Sequence, residues 1–477
     1  MAKVVFLQNI AYDYLGTMML SASLKQAGHE CRVLTGNRFG RFRKELLRNP
    51  PDIVAFSLMS GLHLWGKQIT AEIRKLDLPK RPFVIYGGPH PTFFPDILES
   101  SEADAICVGE GERAIVELAD YLDAHKNPRT IENLWVKTPE GIVRNPLRPL
   151  ADLDSLPFPD RSLYYGSWFF RSDPSKTFMA GRGCPFNCTF CYNRTIKDLY
   201  RGKGAFVRLR SAENLIEEIK SVRKEWGLKT VFFFDDTFGV DKQWTLHFLS
   251  IYRREINLPF ICRVRANSVD EELIAAFKES GCKTLFFAVE TANERVREQI
   301  LKKRVSDEDI RRAAALFQKY KIKFFTYNMV GIPEETVEDI YATIRLNVEI
   351  GTSYPWCSIF SPYPGTELAE YCIEKGYLAA DYSPDDLGTT YHRAALGNLP
   401  NHRLVSNLHK FFALAVCFPV LLPLLKKLAK LPPNIFFTLI FGVVYFVNYV
   451  RSERRGLLRT LLLACYNAMD ILGLRRR

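Results

Sequence analysis

Cys184, Cys188 and Cys191 fall within eight residues at the spacing Cys-x3-Cys-x2-Cys, inside the stretch Gly181-Arg182-Gly183-Cys184-Pro185-Phe186-Asn187-Cys188-Thr189-Phe190-Cys191-Tyr192-Asn193. Three thiolates this close can converge on one metal centre. A lone zinc takes four protein ligands, or three with an open position, whereas iron-sulfur clusters are held by closely spaced cysteine thiolates. Three thiolates on a four-iron cluster leave one iron open. Zinc, and buried or disulfide-forming cysteines, are the plainer alternatives. The other eight cysteines (Cys31, Cys107, Cys262, Cys282, Cys357, Cys372, Cys417 and Cys465) are isolated, and most sit in apolar runs where a free cysteine behaves as a small hydrophobe.

The triplet resembles the signature of the radical S-adenosylmethionine (SAM) superfamily, in which three cysteines of this spacing ligate a [4Fe-4S] cluster whose fourth iron chelates the amine and carboxylate of SAM. The resemblance implies Cys184, Cys188 and Cys191 as metal ligands, and Phe190, the aromatic just before the third cysteine, as a neighbour of the adenine.

Ahead of the triplet, strand-like runs at residues 3–9, 30–34, 52–57, 83–86 and 103–108 alternate with helical patterns at 17–27 and 66–76. Such alternation predicts a parallel sheet flanked by helices, with ligands at the carboxyl ends of the strands. The loops there are Ser57-Leu58-Met59-Ser60, Gly87-Gly88-Pro89-His90-Pro91-Thr92 and Gly109-Glu110-Gly111-Glu112, whose glycines let a large ligand approach the backbone. In this order they resemble the cobalamin-binding domain of cobalamin-dependent radical enzymes. That resemblance implies Ser57, Gly87, Gly88, His90, Glu110 and Gly111 as cobalamin-binding residues. The loop after the first strand, Ala11-Tyr12-Asp13-Tyr14-Leu15-Gly16, departs from the Asp-x-His-x-x-Gly pattern of many cobalamin proteins, so it offers cobalt no histidine. His63 and His90, near other strand ends, also read as ordinary loop histidines.

A stretch rich in Pro and Asp, with a hairpin at Thr138-Pro139-Glu140-Gly141, reads as a linker. Strands are then expected at 177–181, 230–235, 260–265, 283–290, 321–330 and 356–360, which fits the six-unit partial barrel of the superfamily. In such barrels the carboxyl ends of strands carry the chemistry. Here they present Asp235-Asp236-Thr237, Arg265-Ala266-Asn267, Glu290-Thr291-Ala292-Asn293 and Gly331-Ile332-Pro333-Glu334-Glu335-Thr336. By resemblance Asp235 and Asp236 stand at the amine-binding motif of SAM, Glu290 near its methionyl or ribose groups, and Gly331-Ile332-Pro333 on the adenine side, with Arg265 in the same SAM-binding set. Helix capping is the alternative for each acidic residue. Ser361-Pro362-Tyr363-Pro364-Gly365-Thr366-Glu367-Leu368 resembles a stretch common in the cobalamin-linked subfamily and reads equally as a turn before a Thr-capped helix. The expected fold is α/β: a Rossmann-like parallel-sheet domain over residues 1–135, a linker over 136–170, a partial (β/α)6 TIM-like barrel over 171–376, and an α-helical, apolar, basic tail over 377–477.

From residue 401 onward twelve Lys or Arg face only Glu453 and Asp470, so ten of the twelve net positive charges lie there and the first 400 residues are nearly balanced. A basic patch that coincides with the most apolar part of a chain points to anionic lipid, and no recognisable RNA-binding module supports a nucleic-acid partner. Phe411–Leu425 and Ile435–Val450 are uncharged runs of fifteen and sixteen residues. As helices they reach ~24 Å against a hydrocarbon core of ~30 Å, which predicts in-plane or re-entrant anchors. Lys426, Lys427, Lys430, Arg451, Arg454, Arg455, Arg459 and Arg475-Arg476-Arg477 would meet the head groups. A helical cap on the barrel and a shallow hairpin through the bilayer are the alternatives. Met1-Ala2-Lys3 runs straight into an apolar strand, so no cleavable signal is expected, and the expected setting is the reducing cytoplasm at the inner face of the membrane.

The resemblance thus implies an enzyme carrying a [4Fe-4S] cluster, SAM and cobalamin. A deoxyadenosyl radical would abstract hydrogen from an unactivated carbon of a hydrophobic or membrane-resident substrate, such as an isoprenoid, lipid or tetrapyrrole, and methylcobalamin would methylate it. Electrons would come from a reductant protein such as flavodoxin or ferredoxin. Oxidative cyclisation with the same cofactors is the alternative within the class, and a membrane-tethered iron-sulfur electron carrier is the alternative outside it.

Overall fold

The computed structural model describes residues 1–36, 38–387, 401–458 and 460–462. The chain forms two compact units, the first comprising Met1–Arg171 and Asp198–Phe206, the second Ser172–Lys197 and the chain from Val207 onward.

In the first unit β1 (Lys3–Gln8), α1 (Leu15–Gln26), β2 (Glu30–Thr35), α2 (Phe39–Arg48), β3 (Ile53–Ser57), α3 (His63–Arg74), β4 (Phe83–Gly87), α4 (Pro89–Phe93), β5 (Ala105–Cys107) and α5 (Glu112–Asp123) follow one another. The parallel strands lie in the order β2-β1-β3-β4-β5. The order reverses between β1 and β3, where sheets of this kind open a ligand crevice. Both faces of the sheet are covered: Val4 and Phe6 pack with residues of α1 and α5, Val5 and Leu7 with residues of α2 and α3. That period-2 division explains why these strands are apolar throughout.

Residues 136–170, expected as a linker, are built into this unit. β6 (Leu134–Thr138) pairs antiparallel with β5, and β7 (Gly141–Arg144) folds back on β6 at the expected hairpin. Leu134 and Val136 alternate into the core, so the hairpin caps an edge that β5 would leave open. The short helices α6 (Ser162–Tyr165) and α7 (Trp168–Arg171) follow. Tyr164 and Tyr165 are buried, the first bonded to the Gln8 side chain and the second donating to Asp13 Oδ2 at 3.2 Å. Asp13 belongs to the loop in which many cobalamin proteins carry histidine.

The second unit begins with β8 (Ser175–Phe178), β9 (Gly181–Arg182), α8 (Tyr192–Leu199), whose last two residues are counted with the first unit, and β10 (Arg208–Leu209). There follow α9 (Ala212–Trp226), β11 (Thr230–Phe233), α10 (Lys242–Glu255), β12 (Phe260–Arg263), α11 (Glu271–Glu279), β13 (Cys282–Glu290), α12 (Asp307–Lys319), β14 (Lys323–Val330), α13 (Val337–Glu349), β15 (Tyr354–Ile359) and α14 (Glu367–Glu374). Six strands form one parallel sheet in the order β8-β11-β12-β13-β14-β15, an open barrel. Phe232 points inward with Ile261, Phe286, Phe325 and Tyr354, while Val231 and Phe233 point outward against the helices. Ser211, Asp241, Asp270, Ser306, Thr336 and Thr366 each cap a helix by accepting from an amide three residues on. Each cap contributes ~1 kcal/mol and fixes where a helix starts, hence the length of the loop before it. The first strand, expected at 177–181, divides because Gly181 turns to pair with β10, where a Cβ would stand 2.4 Å from the Arg208 carbonyl oxygen.

The tail supplies α15 (His402–Cys417), α16 (Leu422–Leu428) and α17 (Ile435–Ser452). Phe411, Phe412, Ala415 and Val416, in the first half of the first expected anchor, are buried against Val330, Ile340, Ile344, Cys357 and Ile359. That half caps the barrel, its apolar side chains finding partners on α13, β14 and β15, whereas Phe418, Val420 and Leu424 further along the same segment are exposed. α17 is long and apolar enough to cross a membrane. Arg459, Cys465, Asp470 and Arg475–Arg477 lie outside the described residues.

Candidate active site

The cysteine loop joins β9 to α8 and is pinned from two sides. Thr189 donates from its amide to Leu301 O (3.0 Å) and from Oγ1 to Ile300 O (2.7 Å), and its own carbonyl accepts from Leu368 N (3.0 Å). Tyr192 donates to Pro364 O at 2.9 Å, and Arg194 pairs with Glu367. The stretch from Ser361 to Leu368 therefore braces the loop, a role its sequence did not disclose.

Cys184, Cys188 and Cys191 are half-buried and in no disulfide. Cys184 Sγ lies 3.8 Å from Thr237 Oγ1, Asn193 Nδ2 donates to Cys191 Sγ at 3.6 Å, and Arg265 Nη1 donates to Cys188 Sγ at 3.7 Å. The same guanidinium covers the Phe186 ring at 3.8 Å. Burial pushes the Cys184 thiol up, and the Cys191 thiol up to about 11. Thiolates in this loop therefore need a cation to compensate them, which an iron cluster supplies and Arg265 assists. Among the described residues no group of three or more His, Cys, Asp or Glu side chains is drawn together around a single metal ion. The donors fit a cluster.

The remaining expected SAM residues divide. Phe190 packs with Ile332 and Phe360, so the aromatic and the adenine-side strand share one apolar wall. Asp236 is exposed and accepts from Asn193 Nδ2 at 3.1 Å, linking the second barrel strand to the cysteine loop. Asp235 is buried, and its two oxygens accept from Ala180 N (3.2 Å) and Gly181 N (2.7 Å), so it supports the backbone that enters the cysteine loop. Burial pushes its carboxyl up to about 6 in spite of those bonds. Glu290 ends β13 at φ +65°, beside a register shift in the sheet. Its Oε1 accepts from Lys303 Nζ at 2.5 Å, and each side chain is only 7% exposed. Lys303 was not foreseen, because it stands in Lys302-Lys303-Arg304, a run that reads as solvated charge. Glu335 takes a role that its place in the loop after β14 does not announce: its Oε2 accepts from Gly331 N (2.7 Å) and Ile332 N (3.4 Å), and burial pushes it up to about 8.

In the first unit Ser57, Gly87, Gly88, Glu110 and Gly111 gather at the carboxyl ends of β3, β4 and β5. Gly88 has φ +92°, and a Cβ there would stand 3.0 Å from Leu58 N, Leu58 O and Ser57 Oγ. Leu58 N donates to Gly87 O (2.8 Å) and His90 N to Leu58 O (2.9 Å), so the two loops are laced together. Glu110 N donates to the Tyr200 hydroxyl at 2.8 Å, a brace from residues 198–206 that no local pattern announces. His90 is buried, stacked on His63 with ring centres 4.0 Å apart, and 3.1 Å from Ser60 Oγ, contacts that tie the loops after β3 and β4 together. Strand ends bare of side chains at Gly87, Gly88 and Gly111 fit a large planar ligand.

One unit is an open six-stranded parallel barrel with three thiols at its carboxyl end and the other a doubly wound sheet with glycine-rich strand ends; the two in one chain define a radical SAM enzyme with a cobalamin-binding domain. Residues 179–346 match the Radical SAM superfamily and residues 7–119 the B12 binding domain. The chain belongs to the cobalamin-dependent radical SAM enzymes, a family of methyltransferases and cyclases, and its cofactors are a [4Fe-4S] cluster, SAM and cobalamin. It is 32% identical to an uncharacterized methyltransferase of Pyrococcus horikoshii over 368 residues, 75% of this chain and 78% of that one. It is 27% identical to the hopanoid C-3 methylase of Methylococcus capsulatus, over 74% of this chain and 67% of that one. The structure of the radical SAM methyltransferase TsrM of Kitasatospora setae, with cobalamin and [4Fe-4S] cluster bound, superposes with a TM-score of 0.64 at 18% identity. That match covers 78% of this chain and 76% of TsrM, and it speaks for the fold.

Proposed function

We propose that this enzyme methylates an unactivated carbon of a hydrophobic, membrane-associated substrate such as an isoprenoid, a lipid or a tetrapyrrole, at the inner face of the membrane. The observation that carries the reading is the apolar outer face of α17, on which Phe436 is 70% and Val443 64% exposed. A relative named as a hopanoid C-3 methylase supports the same substrate class. Bound together, the cofactors supply a hydrogen-abstracting radical and a transferable methyl group, with electrons from a flavodoxin or ferredoxin.

This chain's residues position and shield. Cys184, Cys188 and Cys191 hold the cluster, with Arg265 keeping a positive charge at Cys188. Phe190 and Ile332 wall the adenine, Asp236 accepts from the SAM amine, and Glu290, fixed by Lys303, faces the methionyl or ribose groups. Ser57, Gly87, Gly88, Glu110 and Gly111 cradle cobalamin. Phe232, Phe286 and Phe325 inside the barrel exclude water from the radical.

The test is anaerobic reconstitution with iron, sulfide and hydroxocobalamin, then reduction with methyl-labelled SAM and a membrane lipid extract. Label in a lipid product together with deoxyadenosine is the expected result. Label that enters only water-soluble acceptors overturns the substrate class. Cys188→Ala should lose both the cluster and deoxyadenosine, and a variant that keeps the wild-type cluster spectrum removes the assignment of the ligands.

A further inference from the structure

The two faces of α17 have different surroundings. Phe437, Phe441, Tyr445, Asn448 and Ser452 recur at helical spacing on the inner face. Phe437 lies 4.7 Å from Phe411, Phe441 4.9 Å from His409 and Tyr445 4.6 Å from Trp356 of β15, between ring centres. Asn448 Nδ2 donates to Pro355 O at 3.1 Å. Just beyond the helix, Arg455 is buried and paired with Asp173 at 2.6 Å, two residues before β8. The helix is thus fastened lengthwise, with contacts at both edge strands of the barrel. It cannot stand normal to a bilayer without breaking them.

The outer face is Ile435, Phe436, Leu439, Ile440, Val443 and Val447, all exposed. Phe418, Val420, Leu424 and Leu431 before the helix, and Leu457, Leu458, Leu461 and Leu462 after it, are exposed as well. A water-soluble surface rarely leaves so much apolar area open. Lys427, Lys430, Arg451 and Arg454 of the same tail are exposed, and Arg403 and Lys430 line one recess of ≈ 520 Å³. Among the described residues from 401 onward the one acidic side chain is Glu453, paired with Arg455 at 3.0 Å. A second copy of this face would bring like charges together. Anionic head groups over an apolar layer complement it.

We propose that the outer face of α17 docks in the plane of an anionic bilayer surface while its inner face remains part of the barrel, a monotopic attachment and not a span. This deepens the proposed function, resting on it for a membrane-resident substrate. The full-length, cofactor-loaded protein is floated with vesicles of phosphatidylcholine alone and of phosphatidylcholine mixed with phosphatidylglycerol. It should bind the mixed vesicles about tenfold or more tightly than the neutral ones, weaken as salt rises, and be stripped by alkaline carbonate. Phe436→Asp and Val443→Asp should each lower vesicle binding about tenfold while leaving the melting temperature unchanged. Lys427→Ala with Lys430→Ala should remove most of the preference for anionic lipid. The proposal is overturned by wild type that floats with neither vesicle, by Val443→Asp that floats like wild type, or by attachment that resists carbonate and yields only to detergent. A lipid-free dimer that Val443→Asp dissolves would assign the face to a second copy instead. Methyl transfer is read separately: flotation without lipid methylation strikes the proposed function alone, and methylation without flotation strikes the docking alone.

Discussion

Lys303 and Glu290 show how a residue with no local signal comes to matter. The carboxylate sits at φ +65°, a backbone conformation that costs a non-glycine residue ~1 kcal/mol or more, and a bulge beside it turns the side chain to the strand end. Both charges are buried, so each is stable only beside the other. Lys303→Met is expected to lower stability by about 3–5 kcal/mol in urea denaturation, and adding Glu290→Gln to recover most of that loss, because the penalty is the stranded carboxylate. Single and double variants equally unstable would refute the pairing. Glu335 carries a different expectation. Burial pushes its carboxyl up to about 8, above the ordinary carboxylate range. The native state therefore keeps a proton that the unfolded chain releases as pH rises, so the stability linked to this group is full at low pH, declines from about pH 4.5 and levels off above about pH 8. Glu335→Gln keeps the shape and removes the titration. The melting temperature of the variant minus that of wild type should rise steadily from pH 5 to pH 8, and a flat difference would place Glu335 in a wetter setting.

At the scale of elements, the loops at strand ends carry the function and the caps set their length. Gly88 shows the constraint most plainly, since Leu58 and Ser57 surround the place of a Cβ at 3.0 Å. Gly88→Ala must move the loop after β3 or leave its positive φ, and a loss of about 1–3 kcal/mol is expected, with weaker retention of hydroxocobalamin on gel filtration. Cobalamin retained at the wild-type ratio would separate the turn from the cofactor. These elements were legible because strand and helix alternate with clear apolar periods, and the cysteine triplet was legible because its three thiols stand within eight residues of one another. Features that depend on distant partners were not. β6 pairs with β5 across a whole helix, so its Pro and Asp neighbours read as a linker. A strand end does not reveal which way a side chain turns, so the bonds of Asp235 to backbone amides and the stacking of His90 on His63 appear only in the fold. Tyr200 reaches Glu110 from ninety residues away.

At the scale of the whole molecule, an open barrel leaves two edge strands, β8 and β15, and the tail reaches both. Asn448 bonds the Pro355 carbonyl in β15, and Arg455 pairs with Asp173 at 2.6 Å and contacts the Ser175 carbonyl at 3.5 Å, where β8 begins. The arginine and the aspartate are each 2% exposed at the side chain, so the pair is screened from water and intolerant of losing one member. The sequence of the tail points to membrane anchors and leaves a cap on the barrel as the alternative, since nothing in an apolar helix announces which face it buries. Its charge still belongs to the surface: exposed Lys427, Lys430, Arg451 and Arg454 face solvent, whereas Arg455 does not. Arg455→Met should therefore behave unlike its basic neighbours. It strands Asp173 and is expected to cost about 3–5 kcal/mol, seen as a lower urea midpoint, whereas Arg454→Met should change the midpoint little. Asp173→Asn combined with Arg455→Met should restore much of the loss. If Arg455→Met and Arg454→Met melt alike, the tail does not hold the edge of the barrel, and the lengthwise fastening of α17 would rest on β15 alone.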